Sequence, residues 1–279
     1  MIDSLKSYVE QIEELPTIPV IAQEILRLLG NDLLTVENLE KIVENDPSIS
    51  AKVLSVANSA FFGFKVHSDA LGMAIMRIGF NNVKNIALGI SLITILNDGK
   101  SGKASDYQRI FNHSVAVGFT ARLLSRNLKL DIAEEVLVNG TLHDIGYLVL
   151  NKYFSEKYQE VLIALEAENS LLDAERKVLG FTHSDIGSWL AEKWNLPDTV
   201  RDTILYHHMP SQAKKNLKHV AMIHVADYIT ARNIMGPIEQ DSNYPLDPSS
   251  LDILGISEND LKDMEESIGG VPFADEIFS

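Results

Sequence analysis

The sequence predicts an all-α fold, and three observations carry that reading. Prolines stand at 16, 19, 47, 197, 210, 237, 245, 248 and 272, so residues 48–196 form a run of 149 without one. Proline removes a backbone donor and clashes with the preceding turn, so a run this long leaves helices unbroken. The run is rich in Leu, Ala, Lys and Glu and has few alternating stretches of the kind a half-buried strand shows. Its apolar residues step by three and four, which gathers them on one helix face.

The elements follow in order. The opening MIDSLKSYVEQIEEL carries acids where a secretory leader carries bases and then an apolar run, so a cytoplasmic location is expected. Thr35, three residues before Asn38, suits the start of one helix. Asp46-Pro47 starts another, with a capping carboxylate ahead of a proline at the first helical position. Behind it Ile49, Val53, Val56, Ala57 and Ala60 make an apolar stripe. The NSAFFG that follows at 58–63 ends in a terminating glycine, and its aromatics are expected to pack the N-terminal helices together. The greasiest stretch, 86–96, is about half of what a membrane span needs, so it reads as a buried helix and no membrane insertion is expected. NDGKSGK at 97–103 marks a boundary between helical halves, and Met235-Gly236-Pro237 marks the start of a tail. The expected organisation is therefore 1–103, 104–236 and a C-terminal segment 237–279. That segment mixes turn residues with apolar Leu251, Ile253, Leu254, Ile256 and Leu261, so it should dock in part.

Composition excludes several chemistries. At 279 residues the chain forms one large domain or two small ones and needs no staple to fold. It has no cysteine, which removes thiolate catalysis, iron-sulfur clusters, Cys-ligated zinc and disulfides. The net charge is -15, which argues against direct nucleic-acid binding. Much of it lies in 237–279, where eleven acids face the single base Lys262. Gly-x-Gly patterns do not occur between a strand and a helix, so Rossmann and P-loop nucleotide sites have no support. Lys214, Lys215 and Lys218 read as a solvated helix face.

The residues that carry chemistry are histidines and aspartates on inward stripes. His113 falls in step with Ile110, Val117, Ala121 and Leu124. Val136, Gly140, His143, Asp144 and Tyr147 continue the pattern on what reads as one helix. His183 leads Ile186, Gly187, Leu190 and Trp194, which places Trp194 in the core. Val200 and Ile204 lead to His207 and His208, and Asp227 shares a face with Val220 and Ile223, with His224 beside it. One buried histidine is readily explained as a hydrogen-bonded core residue. Two buried aspartates among five histidines are costly unless compensated, and a divalent cation offsets that cost directly. With carboxylates, imidazoles and no thiolate, one or two ions of iron, manganese, zinc or magnesium are acceptable.

The order His113, His143-Asp144, Asp227 resembles the H…HD…D signature of the HD superfamily of metal-dependent phosphohydrolases. More narrowly, the chain resembles the HDOD family of bacterial signalling proteins. The resemblance rests on LPTIPVIAQEIL at 15–26, ENDPSISAKVLSVANSAFFG at 44–63, MAIMRIGFNNVKNIAL at 73–88, FNHSVAVG at 111–118, LHDIGYLVL at 142–150, FTHSDIGSWLAEKWNLP at 181–197 and the paired histidines at 207 and 208. It implies an HD-domain-like helical fold with an additional N-terminal helical subdomain. It also implies a stand-alone signal-transduction protein working through signalling partners or a small anionic or nucleotide ligand. His113, His143, Asp144, His183, His207, His208 and Asp227 are the set that two-metal members of the superfamily use, and the resemblance implies that they bind metal here. No catalytic residue is assigned. Were the protein an enzyme, the resemblance implies a metal-dependent phosphohydrolase or phosphodiesterase acting on a nucleotide or cyclic nucleotide. The cyclic-di-GMP-hydrolysing relatives carry Lys after HD-I-G and a GYP segment after the double histidine. Here Tyr147 and HHMPSQAKK at 207–215 stand instead.

Overall fold

The computed structural model describes residues 2–10, 12, 16–28, 35–59, 62, 68, 70–96, 104–168, 170–233 and 245–269. The expected breaks at 97–103 and 235–237 lie outside them, as do Ala60, Phe61 and Gly63 of the aromatic turn. The described residues contain helices and no strand.

Six helices come first: α1 (Ile2–Val9), α2 (Val20–Leu28), α3 (Val36–Glu44), α4 (Pro47–Ala57), α5 (Leu71–Ile78) and α6 (Phe80–Thr94). Two of their starts, those of α3 and α4, follow the sequence. The Thr35 side chain accepts the Asn38 amide, and Asp46 accepts the amides of Ser48 and Ile49 with Pro47 at the first helical position. Helix α6 contains most of the stretch read as a buried helix, and Ile86, Leu88, Ile90, Leu92 and Ile93 are all buried. Phe62 meets Phe119 edge to face at 5.3 Å, so the aromatic turn reaches past the N-terminal helices.

Helix α7 (Ala104–Asn127) opens the second group, followed by α8 (Glu135–Leu142), α9 (Ile145–Tyr153), α10 (Ser155–Leu165), α11 (Leu171–Val178), α12 (His183–Lys193) and α13 (Asp198–Tyr206). A 3-10 turn at Pro210–Gln212 leads to α14 (Leu217–Asn233), then α15 (Ser249–Leu254) and α16 (Glu258–Gly269). Helix α8 is central, packing on α6, α7, α13 and α14, while α12 packs between α9 and α13. Two glycine contacts make this possible. A Cβ on Gly140 would stand 2.6 Å from the Gly118 Cα, and one on Gly146 would stand 1.9 Å from the His183 carbonyl oxygen. Helices α7 and α8, and α9 and α12, therefore touch backbone to backbone.

One apolar cluster runs without interruption from α2 through α6, α9 and α12 to Ile204 of α13. A second joins Val117, Ala121 and Leu124 of α7 to α14, α15 and α16, and Leu251, Leu254, Leu261 and Ile268 are buried in it. Removing these four side chains from water favours docking of the described part of the acidic segment, by roughly 1.5–3 kcal/mol each before the cost of ordering the chain. Trp194 is buried as expected, and its indole N–H donates to the Pro16 carbonyl at 3.0 Å. No helix of the described residues is long and apolar enough to cross a membrane.

Candidate metal centre

Between the two apolar clusters, five helical segments bring polar side chains to one point. Helix α7 supplies His113, the α8–α9 junction His143 and Asp144, the first turn of α12 His183, the end of α13 His207 and His208, and α14 Asp227. All seven residues expected from the sequence meet there.

The junction differs from expectation, because the helix read through 136–147 is divided. The His143 ring Nδ1–H donates to the Gly140 carbonyl at 2.6 Å, and the His143 amide reaches the same oxygen only at 3.5 Å. Asp144 then takes φ -102°, ψ 17°, in the sparsely populated bridge region. In a continuous helix successive side chains point about 100° apart. The break lets His143 and Asp144 face the same centre.

Asp144 is the hub. Its Oδ2 lies 3.0 Å from His143 Nε2 and 4.0 Å from His113 Nε2, and its Oδ1 lies 3.4 Å from His207 Nε2 and 3.6 Å from His183 Nε2. Asp227 Oδ1 is 2.8 Å from His113 Nε2, and its Oδ2 is 3.8 Å from His143 Nε2. On the other side His183 Nε2 is 3.0 Å from His208 Nε2 and 3.5 Å from His207 Nε2. None of the first six is more than 4% exposed, while His208 is half-buried.

The outward ring nitrogens fix the orientation. His143 donates from Nδ1 to Gly140, His207 from Nδ1 to the Ile204 carbonyl at 2.8 Å, and His183 from Nδ1 to the Glu175 carboxylate at 2.9 Å. A ring whose Nδ1 carries the proton offers an Nε2 lone pair, and all three Nε2 atoms point inward. Two of these lone pairs, on His183 and His207, stand 3.5 Å apart. A proton or a cation between them removes the repulsion. His113 Nδ1 is buried without a hydrogen-bond partner, and His143 Nε2 and Asp144 Oδ1 have ionisable neighbours at 3.0 and 3.4 Å but no well-aligned hydrogen bond. Imidazoles with one nitrogen tied back and the other aimed at shared carboxylates are the donor set a divalent cation takes. The cluster fits a metal ion, with His143, Asp144 and His207 each able to serve two overlapping groups.

Charge follows this geometry. Burial alone would lower the His143 pKa, but the charges of Asp144 and Asp227 overcome it and raise it to about 9. Burial would raise Asp144 and Asp227, yet the neighbouring histidines hold both below the usual carboxylate range. Burial lowers His207, and lowers His208 well below the ordinary imidazole value. His183 is raised against burial, chiefly by Glu175.

Glu175 was not read from the sequence, and Tyr147 and His224, which were placed on or beside the inward stripes, take contacts that the sequence did not assign. Glu175, with no exposed surface, backs His183. Its signal was present: with Leu171 and Ala174 it shares the buried face of α11. Tyr147 lies flat on His183, ring centres 4.0 Å apart and 19° between planes. His224 donates from Nδ1 to the His207 carbonyl at 2.7 Å and accepts the Asp247 amide at 2.8 Å, tying the C-terminal segment to the centre. A cavity of about 140 Å³ lies between α2, α6, α8 and the start of α13, and none of the seven residues lines it.

A family model for the HDOD domain matches residues 15–210, well over half of the sequence. The chain belongs to the HDOD family. The matched stretch contains six of the seven clustered residues, and Asp227 lies beyond it. A curated relative of this HDOD protein, an uncharacterized protein of Treponema pallidum (strain Nichols), is 25% identical over 244 residues. These are 84% of this chain and 46% of the relative, so the chain spans less than half of the relative's length. The fold is shared with a solved HDOD domain protein of unknown function from Geobacter sulfurreducens, at 22% identity and TM-score 0.81, over 95% of this chain and 92% of that one. It is shared also with a candidate signal transduction protein from Marinobacter aquaeolei VT8, at 24% identity and TM-score 0.70, over 97% of this chain and 64% of that one.

Proposed function

We propose that this HDOD protein is a cytoplasmic regulatory module of bacterial signal transduction, acting through partner proteins or by sensing a small anionic or nucleotide ligand. In this reading His113, His143, Asp144, His183, His207, His208 and Asp227 hold one or two divalent ions, and the ions lock five helical segments in one arrangement. The same proposal takes 1–103 as the N-terminal subdomain, 104–236 as the HD-like domain and 237–279 as an acidic segment.

The observation that carries it is burial. Six of the seven residues are at most 4% exposed, which leaves an incoming phosphoester contact with His208 alone. Such a centre suits the locking of helices better than the admission of a substrate. The name of the Marinobacter neighbour agrees with the signalling role.

The second reading is a metal-dependent phosphohydrolase, and the partial exposure of His208 favours it. A bound divalent cation lowers the pKa of a coordinated water and so supplies a nucleophile at neutral pH. In that reading Asp144 holds the site together and His208 meets a phosphate oxygen. Cyclic-di-GMP is disfavoured as substrate, because Tyr147 stands where those relatives carry Lys and is buried against His183.

Turnover separates the two. Protein reconstituted in turn with iron, manganese, zinc and magnesium is incubated with bis(p-nitrophenyl) phosphate and with cyclic nucleotides. The regulatory reading predicts no release of product above the Asp144→Ala background. Metal-dependent release that the substitution abolishes would replace it with the hydrolase reading.

A further inference from the structure

We infer that Glu175 is a positioning residue of the metal centre: it holds His183 by Nδ1 and by the backbone, and so presents Nε2 as a ligand. The inference rests on the metal reading above and extends it to a residue outside the ligand set.

Glu175 and His183 both have no exposed surface. A buried carboxylate is costly unless it is hydrogen-bonded, and among the described residues the bonds to this one come from His183. The ring Nδ1–H lies 3.0 Å from Oε1 and 2.9 Å from Oε2, and Oε2 also accepts the His183 backbone amide at 3.0 Å. The local sequence explains why that amide is available. Thr182 and Asp185 form a capping box, so His183 is the first residue of α12 and its N–H has no partner four residues earlier. Glu175 takes that orphan donor, and its charge suits the positive end of the helix.

One carboxylate thus grips a single residue at backbone and ring, which removes the ring's freedom to rotate. Tyr147 closes one face of the ring at 4.0 Å. The remaining nitrogen faces Asp144 Oδ1 at 3.6 Å and His208 Nε2 at 3.0 Å. His143 and His207 are tied back in the same way, but to the carbonyls of Gly140 and Ile204. Of these three, His183 is backed by a carboxylate, the partner that makes an imidazole the more basic donor.

Glu175→Gln keeps the size and one accepting oxygen while removing the charge. Glu175→Asp keeps the charge while shortening the reach. Zinc and cobalt affinities are measured by competition with a chelating dye, together with the visible absorption of the cobalt form and the melting of the metal-free form. Glu175→Gln is expected to weaken binding about 10- to 100-fold and to shift the cobalt band, with Glu175→Asp between it and the wild type. Wild-type affinity and spectrum in Glu175→Gln overturn the inference, including the case in which only the melting of the metal-free form falls. If Glu175→Gln does not fold, Glu175→Asp decides alone, and wild-type affinity in it counts against the inference. A wild type that binds neither ion removes the metal reading itself, and this inference with it, before any variant is compared.

Discussion

The two sides of the centre meet at Asp144 and are built differently. On one side His113 and His143 face the carboxylates of Asp144 and Asp227, and the His143 pKa of about 9 means that a proton can balance the charge there. On the other, His183, His207 and His208 face one another around a single oxygen of Asp144, where burial lowers the pKa of His207 and His208 while Glu175 raises that of His183. The carboxylate-rich side can therefore rest as an ion-paired network without metal. The imidazole-rich side gathers three ring nitrogens around one carboxylate oxygen, a donor set that gains more from a cation.

Breaking either side should give unequal results. His207→Ala is expected to cost about 100-fold or more in affinity for the first ion bound. His113→Ala should cost less, because Asp227 and His143 keep their contacts. Titration calorimetry of the two variants with zinc makes the comparison, and equal losses would remove the distinction.

Proton competition sharpens the contrast. His143 must release its proton to bind metal, so affinity on its side should rise as pH increases towards 9, by up to tenfold per pH unit for the one proton displaced. The metal-free fold behaves in the opposite sense. A histidine whose pKa rises on folding contributes stability fully below its unfolded value of 6.5 and loses it as pH climbs through about 9. The metal-free protein should therefore melt lower at pH 9.5 than at pH 6.5 through this group, and the metal-loaded protein should show a smaller difference. Thermal melts of both forms across that range test the sign.

The close approach of α9 and α12 is a backbone contact. Gly146→Ala places a Cβ 1.9 Å from the His183 carbonyl oxygen, which yields only if the two helices shift, so the loss is expected at or above the upper end of the about 1–3 kcal/mol typical of overpacking. Chemical denaturation measures the loss, and metal affinity should fall with it because His183 moves. A remote change supplies the control. Asp46→Ala removes the α4 cap and should cost about 1 kcal/mol while leaving metal affinity unchanged.

How far the site was legible differs from residue to residue. His113, His183 and Asp227 lie within α7, α12 and α14, where a three-and-four step reports direction faithfully. His207 and His208 follow α13, and the same step carries only to the helix end. The α8–α9 break was not legible, because it arises from a ring-to-carbonyl bond that competes with the helix, and periodicity does not register it. Glu175 was hidden by composition: it sits in DAERKV at 173–178, where an acid among charges resembles a solvated face. Its partner is eight residues away on the next helix, so pairing depended on how α11 turns into α12. The N-terminal caps were fully legible, since Thr35 and Asp46 bond within three residues of themselves.

The most direct test of the account is elemental analysis of the full chain purified without added metal or chelator, beside Asp144→Ala. The account predicts near-stoichiometric iron, manganese, zinc or magnesium in the wild type and its loss from a variant that remains folded by circular dichroism. No metal in the wild type even after reconstitution, or equal metal in both proteins, would contradict it and leave the histidines as a polar network of the core.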